Sequence, residues 1–231
     1  MVMISNFSIR TAEGREDYFG VHKFGQNSAL ASSAETIWSA GGLYPWSALA
    51  SAQTLYVLST SGSDTGTLEI QGLNANYEPL TETVTMTGLT AVTTSTPFLR
   101  VFRCVYRGST NVGTITVRTV SGSGTVVAQV EPEEAQTLMA VYTIPTEHRA
   151  FLNVLTAGVG KNDDANVTLY IRPFGEVFQI QSQIKVYQNT FSENFTIPLF
   201  IPQKTDIDVR ATTTNANSEC SVSFDLIMTK F

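Results

Sequence analysis

Thr67-Leu68-Glu69-Ile70-Gln71-Gly72-Leu73 alternates apolar and polar side chains. A period of two sets Leu68 and Ile70 on one face and Thr67, Glu69 and Gln71 on the other, the signature of a half-buried strand. Asn74-Ala75-Asn76 supplies a turn, and Thr81-Glu82-Thr83-Val84-Thr85-Met86 repeats the pattern with Val84 and Met86 inward. Outward from this hairpin, residues 54–59 read as a strand, followed by the turn Ser61-Gly62-Ser63-Asp64. Residues 98–107 are apolar on both faces, as a central strand is. Residues 113–120 and 125–130 follow as further strands, parted by Ser121-Gly122-Ser123-Gly124.

Glu131-Pro132-Glu133-Glu134 is charged and strand-breaking, which sets a domain boundary there. Strand patterns then resume at 138–144, 149–157, 165–172, 177–186, 191–200, 206–212 and 218–228. This spacing suits an antiparallel sandwich or jelly roll. The expected fold class is all-β: two antiparallel β-sandwich or jelly-roll-like domains over residues 51–130 and 131–231, behind an irregular N-terminal arm over residues 1–50. Residues 10–26 of that arm show no clear period. Residues 33–38 could begin a helical turn that Gly41-Gly42 breaks. Trp38, Tyr44 and Trp46 cluster in the same arm, where they would pack on the domain body or on a neighbouring subunit. They are interface candidates.

Composition agrees with this fold. Of 231 residues, 42% are hydrophobic and only 15% charged, and the net charge is -6. The deficit of charge is filled by Thr, Ser, Asn, Gln and Gly, which favour pleated surfaces and tight turns. Residues 1–130 carry seven Lys/Arg against eight Asp/Glu, and residues 131–231 carry seven against twelve. Neither part has the basic excess of a phosphate-binding surface, so no nucleic-acid partner is expected. No run is long and apolar enough for a membrane helix. Met1-Val2-Met3-Ile4-Ser5-Asn6 lacks the basic start of a signal peptide, so synthesis in a cytoplasm is expected. The sequons at Asn6, Asn166 and Asn194 are then chance matches in an Asn- and Thr-rich chain.

The raw material for catalysis is thin. His22 and His148 are the two histidines, and neither stands in a nucleophile motif. No phosphate loop, dinucleotide fingerprint or zinc motif is present. Cys104 and Cys220 lie far apart in strand-like runs, as buried reduced thiols do. Asp163-Asp164, with Asn162 and Asn166 nearby, is the best carboxylate pair, but its spacing fits no calcium loop. Asp206 and Asp208 alternate on one strand face. No catalytic residue, cofactor or metal ligand is expected. Arg100, Arg103 and Arg107, with Arg118, form the one basic concentration, and the first three join the interface candidates as a stripe for an acidic partner.

Two passages carry a resemblance. The first runs from Asp64-Thr65-Gly66-Thr67 through Asn76-Tyr77, Thr81–Gly88, Val92-Thr93-Thr94 and Phe98-Leu99-Arg100-Val101 to Asn111-Val112-Gly113-Thr114-Ile115. It resembles a β-sandwich module of virion proteins of tailed bacteriophages, notably marine and cyanobacterial ones. The second, Met139-Ala140-Val141-Tyr142-Thr143-Ile144-Pro145 leading into Arg149-Ala150-Phe151-Leu152, is similar to the opening strands of phage decoration, fibre and tail proteins. The resemblance implies a virion component: a capsid decoration (cement) or minor capsid protein, or a tail or fibre protein that recognises the host surface. It also implies a homo-oligomer, a trimer being one option, that meets a major capsid protein or tail components. It supplies no functional residues.

Overall fold

A computed structural model describes residues 10–14 and 18–231. The segment Met1 to Asn6, with its sequon, lies outside the described residues, as does the start of the expected arm. The chain is all-β. Two strands open it, β1 (Tyr18–Leu30) and β2 (Glu35–Thr36). Seven follow: β3 (Tyr56–Ser59), β4 (Thr67–Leu73), β5 (Pro79–Thr85), β6 (Val92–Thr93), β7 (Arg100–Arg107), β8 (Ile115–Arg118) and β9 (Val126–Val130). The last seven are β10 (Val141–Thr143), β11 (His148–Val159), β12 (Asp164–Arg172), β13 (Gln179–Tyr187), β14 (Thr190–Ile201), β15 (Asp206–Thr212) and β16 (Ser218–Lys230).

They form four antiparallel sheets. The order β1-β16-β11-β14 faces β10-β15-β12-β13 across one core, which holds Leu155, Val167, Val209 and Phe224. The order β6-β3-β8-β9 faces β5-β4-β7 across a second core, which holds Val57, Ile70, Phe98 and Ile115. The first body has a simple logic. Its eight main strands pair first with eighth (β1 with β16), second with seventh (β10 with β15), third with sixth (β11 with β14) and fourth with fifth (β12 with β13). A long two-stranded ribbon, closed on itself, gives this order. Strands β3 to β9 form the second body, inserted between the ribbon's first and second strands.

The two cores share walls. Ile37 packs in the ribbon core and Trp38 in the inserted core. Ala140 and Tyr142 go to the ribbon core, while Met139 and Val141 go to the inserted core. A strand's period of two lets one segment feed both. Residues 18–50, expected as an arm, therefore pack against their own chain. Tyr18–Leu30 is an edge strand along β16, and Glu35–Thr36 adds to β15. The helical turn expected at 33–38 is absent; a short 3-10 turn forms at Trp46–Leu49 instead. Strand β1 has no apolar period because its inward positions include Lys23, Gly25 and Asn27. Each answers a local need. Lys23 donates to the Phe102 carbonyl, and Asn27 donates to Glu35 at 2.9 Å. Gly25 lets backbone pass: a Cβ there would stand 2.3 Å from the Ile37 oxygen and 2.4 Å from the Ala140 nitrogen.

Gly25→Ala is therefore expected to destabilise the fold by about 1–3 kcal/mol, because backbone must shift to admit one carbon. Gly20→Ala, on the same strand with open space around it, is expected to change stability by less than about 0.5 kcal/mol. Urea unfolding of the two variants checks the contrast.

Candidate functional site

Where the two bodies meet, strand β15 buries two carboxylates. The side chain of Asp208 is fully enclosed and that of Asp206 nearly so. Isolated buried charges are costly, so each must be paired and hydrogen-bonded. Asp206 accepts from Arg100 Nε at 2.9 Å, from Arg172 Nη2 at 2.5 Å and from the Thr143 hydroxyl at 2.6 Å. Asp208 accepts from the Trp46 indole and Arg210 Nε, each at 2.9 Å, and from the Thr36 hydroxyl at 2.9 Å. Arg100 comes from the inserted body and Arg172 from the ribbon, so Asp206 ties one to the other.

The arginines also lie over aromatic rings, where cations are favoured. Arg100 is 5.5 Å and Arg172 5.4 Å from the Trp46 ring centre, and Arg172 is 4.5 Å from that of Phe178. Burial pulls the Arg100 guanidinium down, but its hydrogen bonds and charge contact with Asp206 more than reverse this, leaving it above its ordinary pKa. Trp38, Tyr44 and Trp46 stack edge to face in sequence, 5.2 and 4.7 Å apart. All three are buried within this chain. The Tyr44 hydroxyl donates to the Val101 carbonyl at 3.0 Å.

The expected arginine stripe is divided. Arg100 turns inward to the junction, whereas Arg103 donates to Gln136 and Arg107 pairs with Glu69 at 2.9 Å, both at the surface. A second buried cation bridges the bodies. The Lys23 ammonium, on the ribbon, donates to the Phe102 carbonyl of the inserted body. Burial first, then the charge of Arg103, pulls its pKa from 10.5 to about 7, with Cys104 opposing slightly.

Beside Asp206 opens a recess of about 340 Å³. Trp46, Tyr77, Arg172, Phe174, Glu176 and Lys204 contribute to its walls. Tyr77 meets Phe174 edge-on, 5.8 Å between centres, so the inserted body and the ribbon both contribute to its lining. The Lys204 ammonium lies 5.5 Å from both ring centres. No pattern in the sequence points to this site, because Tyr77, Arg172 and Lys204 come from three separate turns or strand ends.

The loop carboxylates have internal tasks. The Thr214 hydroxyl donates to Asp164 at 2.6 Å, helped by the Thr214 amide and the Thr213 hydroxyl, and these bonds hold the acid below its ordinary pKa. Asp164 is buried rather than a solvated tip. Asp64 likewise ties Ser59 to the amides of Val112 and Gly113. His22 pairs with Asp225 at 2.5 Å on an exposed sheet face, and His148 donates to the Thr146 carbonyl at 2.6 Å. Cys104 and Cys220 are buried and free, and burial pushes both thiols up to about 12, far from the reactive thiolate range. Among the described residues, no group of three His, Cys, Asp or Glu side chains converges to hold a metal.

No known protein family matches the sequence, and no curated protein is similar to it. Among solved structures, the Gx strain of infectious bursal disease virus aligns over 93% of this chain and 72% of that one, at 10% identity and a TM-score of 0.27. The VP2 subviral particle of infectious bursal disease virus aligns over the same shares, at 12% identity and a TM-score of 0.26. Likenesses this weak carry no argument.

Two outcomes test the junction. Asp206→Asn strips a buried arginine of its counter-charge and is expected to cost about 3–5 kcal/mol, whereas Arg107→Ala, at the surface, costs about 0–1 kcal/mol. Calorimetric melting separates them. For Lys23, the unfolded chain binds a proton that the folded chain has lost between pH 7 and 10.5, so stability rises with pH across that window. Urea unfolding between pH 7 and 8 reads this below the range where the two thiols, ionising more easily when unfolded, act oppositely. Lys23→Met is expected to flatten the rise and to gain on the order of 1 kcal/mol at pH 7.

Proposed function

We propose that this chain is a non-enzymatic structural protein of a virion, made in the host cytoplasm. Within that class we propose a capsid decoration (cement) or minor capsid protein that acts as a homo-oligomer against other virion subunits. The observation that carries this reading is the rim formed by β13 and β14. Five of the thirteen exposed large apolar residues among the described residues fall on these two strands: Ile180, Tyr187, Phe191, Ile197 and Phe200. Ile197 is 85% exposed. Such a concentration on a soluble chain marks an association surface.

The ribbon topology supports the same reading. We read two facing sheets with strands paired first to eighth through fourth to fifth as a jelly-roll plan, an architecture used by viral capsid and lectin domains. We read the inserted body as a smaller β-sandwich. A fold alone does not give a function, so the rim carries more weight. The rim is also guarded. Against β11, four residues of β14, Phe195-Thr196-Ile197-Pro198, bulge opposite Asn153. A bulge with proline on an edge strand blocks indiscriminate sheet extension. Side-chain packing, rather than strand addition, is then the expected mode of contact. A tail or fibre role in host-surface recognition is the second reading, and the recess beside Asp206 favours it.

Analytical ultracentrifugation over a wide concentration range, with co-sedimentation on protein shells of the cognate particle, tests the proposal. A discrete oligomer or shell binding is expected, and Ile197→Asp with Phe200→Asp is expected to abolish it. The melting temperature of the monomer should hardly change, since both positions are exposed. A chain that stays monomeric throughout and leaves shells unbound overturns it.

A further inference from the structure

The recess beside Asp206 has features that the assembly reading does not use. Lys204 is held in place by its backbone, whose amide donates to the Ile144 carbonyl at 2.7 Å. Yet its ammonium has no carboxylate partner among the described residues and lies 5.5 Å from the centres of both the Tyr77 and Phe174 rings. Arg172, which lines the recess, engages Asp206 through Nε and Nη2. Arg100 is fully used, by Asp206 and by the Leu49 and Leu99 carbonyls. Phe174 is 65% exposed at the mouth, and Glu176 stands beside it. Tyr77 and Lys204 both occupy left-handed backbone, at φ 63° and 58°. Non-glycine residues pay for that conformation, and it gathers at ligand sites.

The lining narrows the ligand. Arg100, Arg172 and Lys204 stand against Asp206 and Glu176, which leaves one net positive charge. A monoanion suits that balance, whereas a phosphate dianion would face two carboxylates. Glu176 accepts hydrogen bonds, so the ligand should bring a hydroxyl donor. The exposed face of Phe174 suits an apolar C–H surface. We propose that this recess binds a carboxylated sugar, with its carboxylate on Lys204 Nζ and Arg172, its C–H face on Phe174 and a hydroxyl toward Glu176. This deepens the second reading by naming a ligand class for host-surface recognition, but binding to purified chain stands or falls apart from it. A chain that binds the sugar acid without adhering to host cells would retain this site and lose that reading.

Ligand-observed NMR and calorimetry on the full chain test it, with the methyl glycoside of N-acetylneuraminic acid and with glucuronate as probes. Neutral galactose and inorganic phosphate are the comparisons, and tryptophan fluorescence of a Trp38→Phe variant, which leaves Trp46 as the one reporter, gives a second readout. Binding of at least one sugar acid is expected, weakened by salt and reduced about tenfold or more by Lys204→Ala and by Phe174→Ala. Both variants alter side chains outside the cores, and their melting temperatures verify folding. Absence of binding by both acids overturns the proposal. So does equal binding of galactose, equal binding of phosphate, or unchanged affinity in folded Lys204→Ala.

Discussion

Two carboxylates buried on one strand organise this molecule. Asp206 and Asp208 point the same way from β15, and neither can remain inside without counter-charges. The partners come from distant parts of the chain: Arg100 from the inserted body, Arg172 and Thr143 from neighbouring strands, Trp46 and Thr36 from the leading segment. Satisfying two acids therefore fixes how the bodies meet. A buried ion network is a weak source of net stability but a strong source of specificity when breaking it strands a charge. The shared strands at 37–38 and 139–142 add an apolar constraint to the same junction.

That junction joins two cores, each behind its own surface. The ribbon's two sheets end at β1 and β10 on one side and at β14 and β13 on the other. The rim at β13 and β14 is apolar and bulged. A protein that assembles needs such a surface and needs it blunted against unwanted sheets. The recess lies near the other consequence of the junction, where loops of both bodies approach one another around Lys204. Assembly and ligand capture thus draw on different parts of one scaffold.

Much of the strand content was legible in the sequence because alternation is local. Leu68 and Ile70, and then Val84, point inward as their spacing requires. Strand β1 was not legible, since its inward face uses lysine, glycine and asparagine to meet a carbonyl, a close backbone and a glutamate. The aspartates at 206 and 208 showed their shared face but not their burial, because their counter-charges lie up to 106 residues away. The insertion was hidden for the same reason: a linear pattern of strands shows where strands are, not which ones pair. Arg100, Arg103 and Arg107 looked alike in sequence, and a bulge in the β4–β7 pairing, between Gln71 and Gly72, keeps all three on one face, opposite Leu73, Gln71 and Thr67; only Arg100 is covered there by the ribbon, through Asp206.

The role in a particle is best tested by a density map of intact virions carrying this chain. If the chain is an assembling structural component, the map will show it in symmetric copies, with Ile197 and Phe200 covered by a neighbouring subunit and no solvent along that rim. A map in which the chain is absent from the particle, or present with the β13–β14 rim facing solvent in every copy, contradicts it.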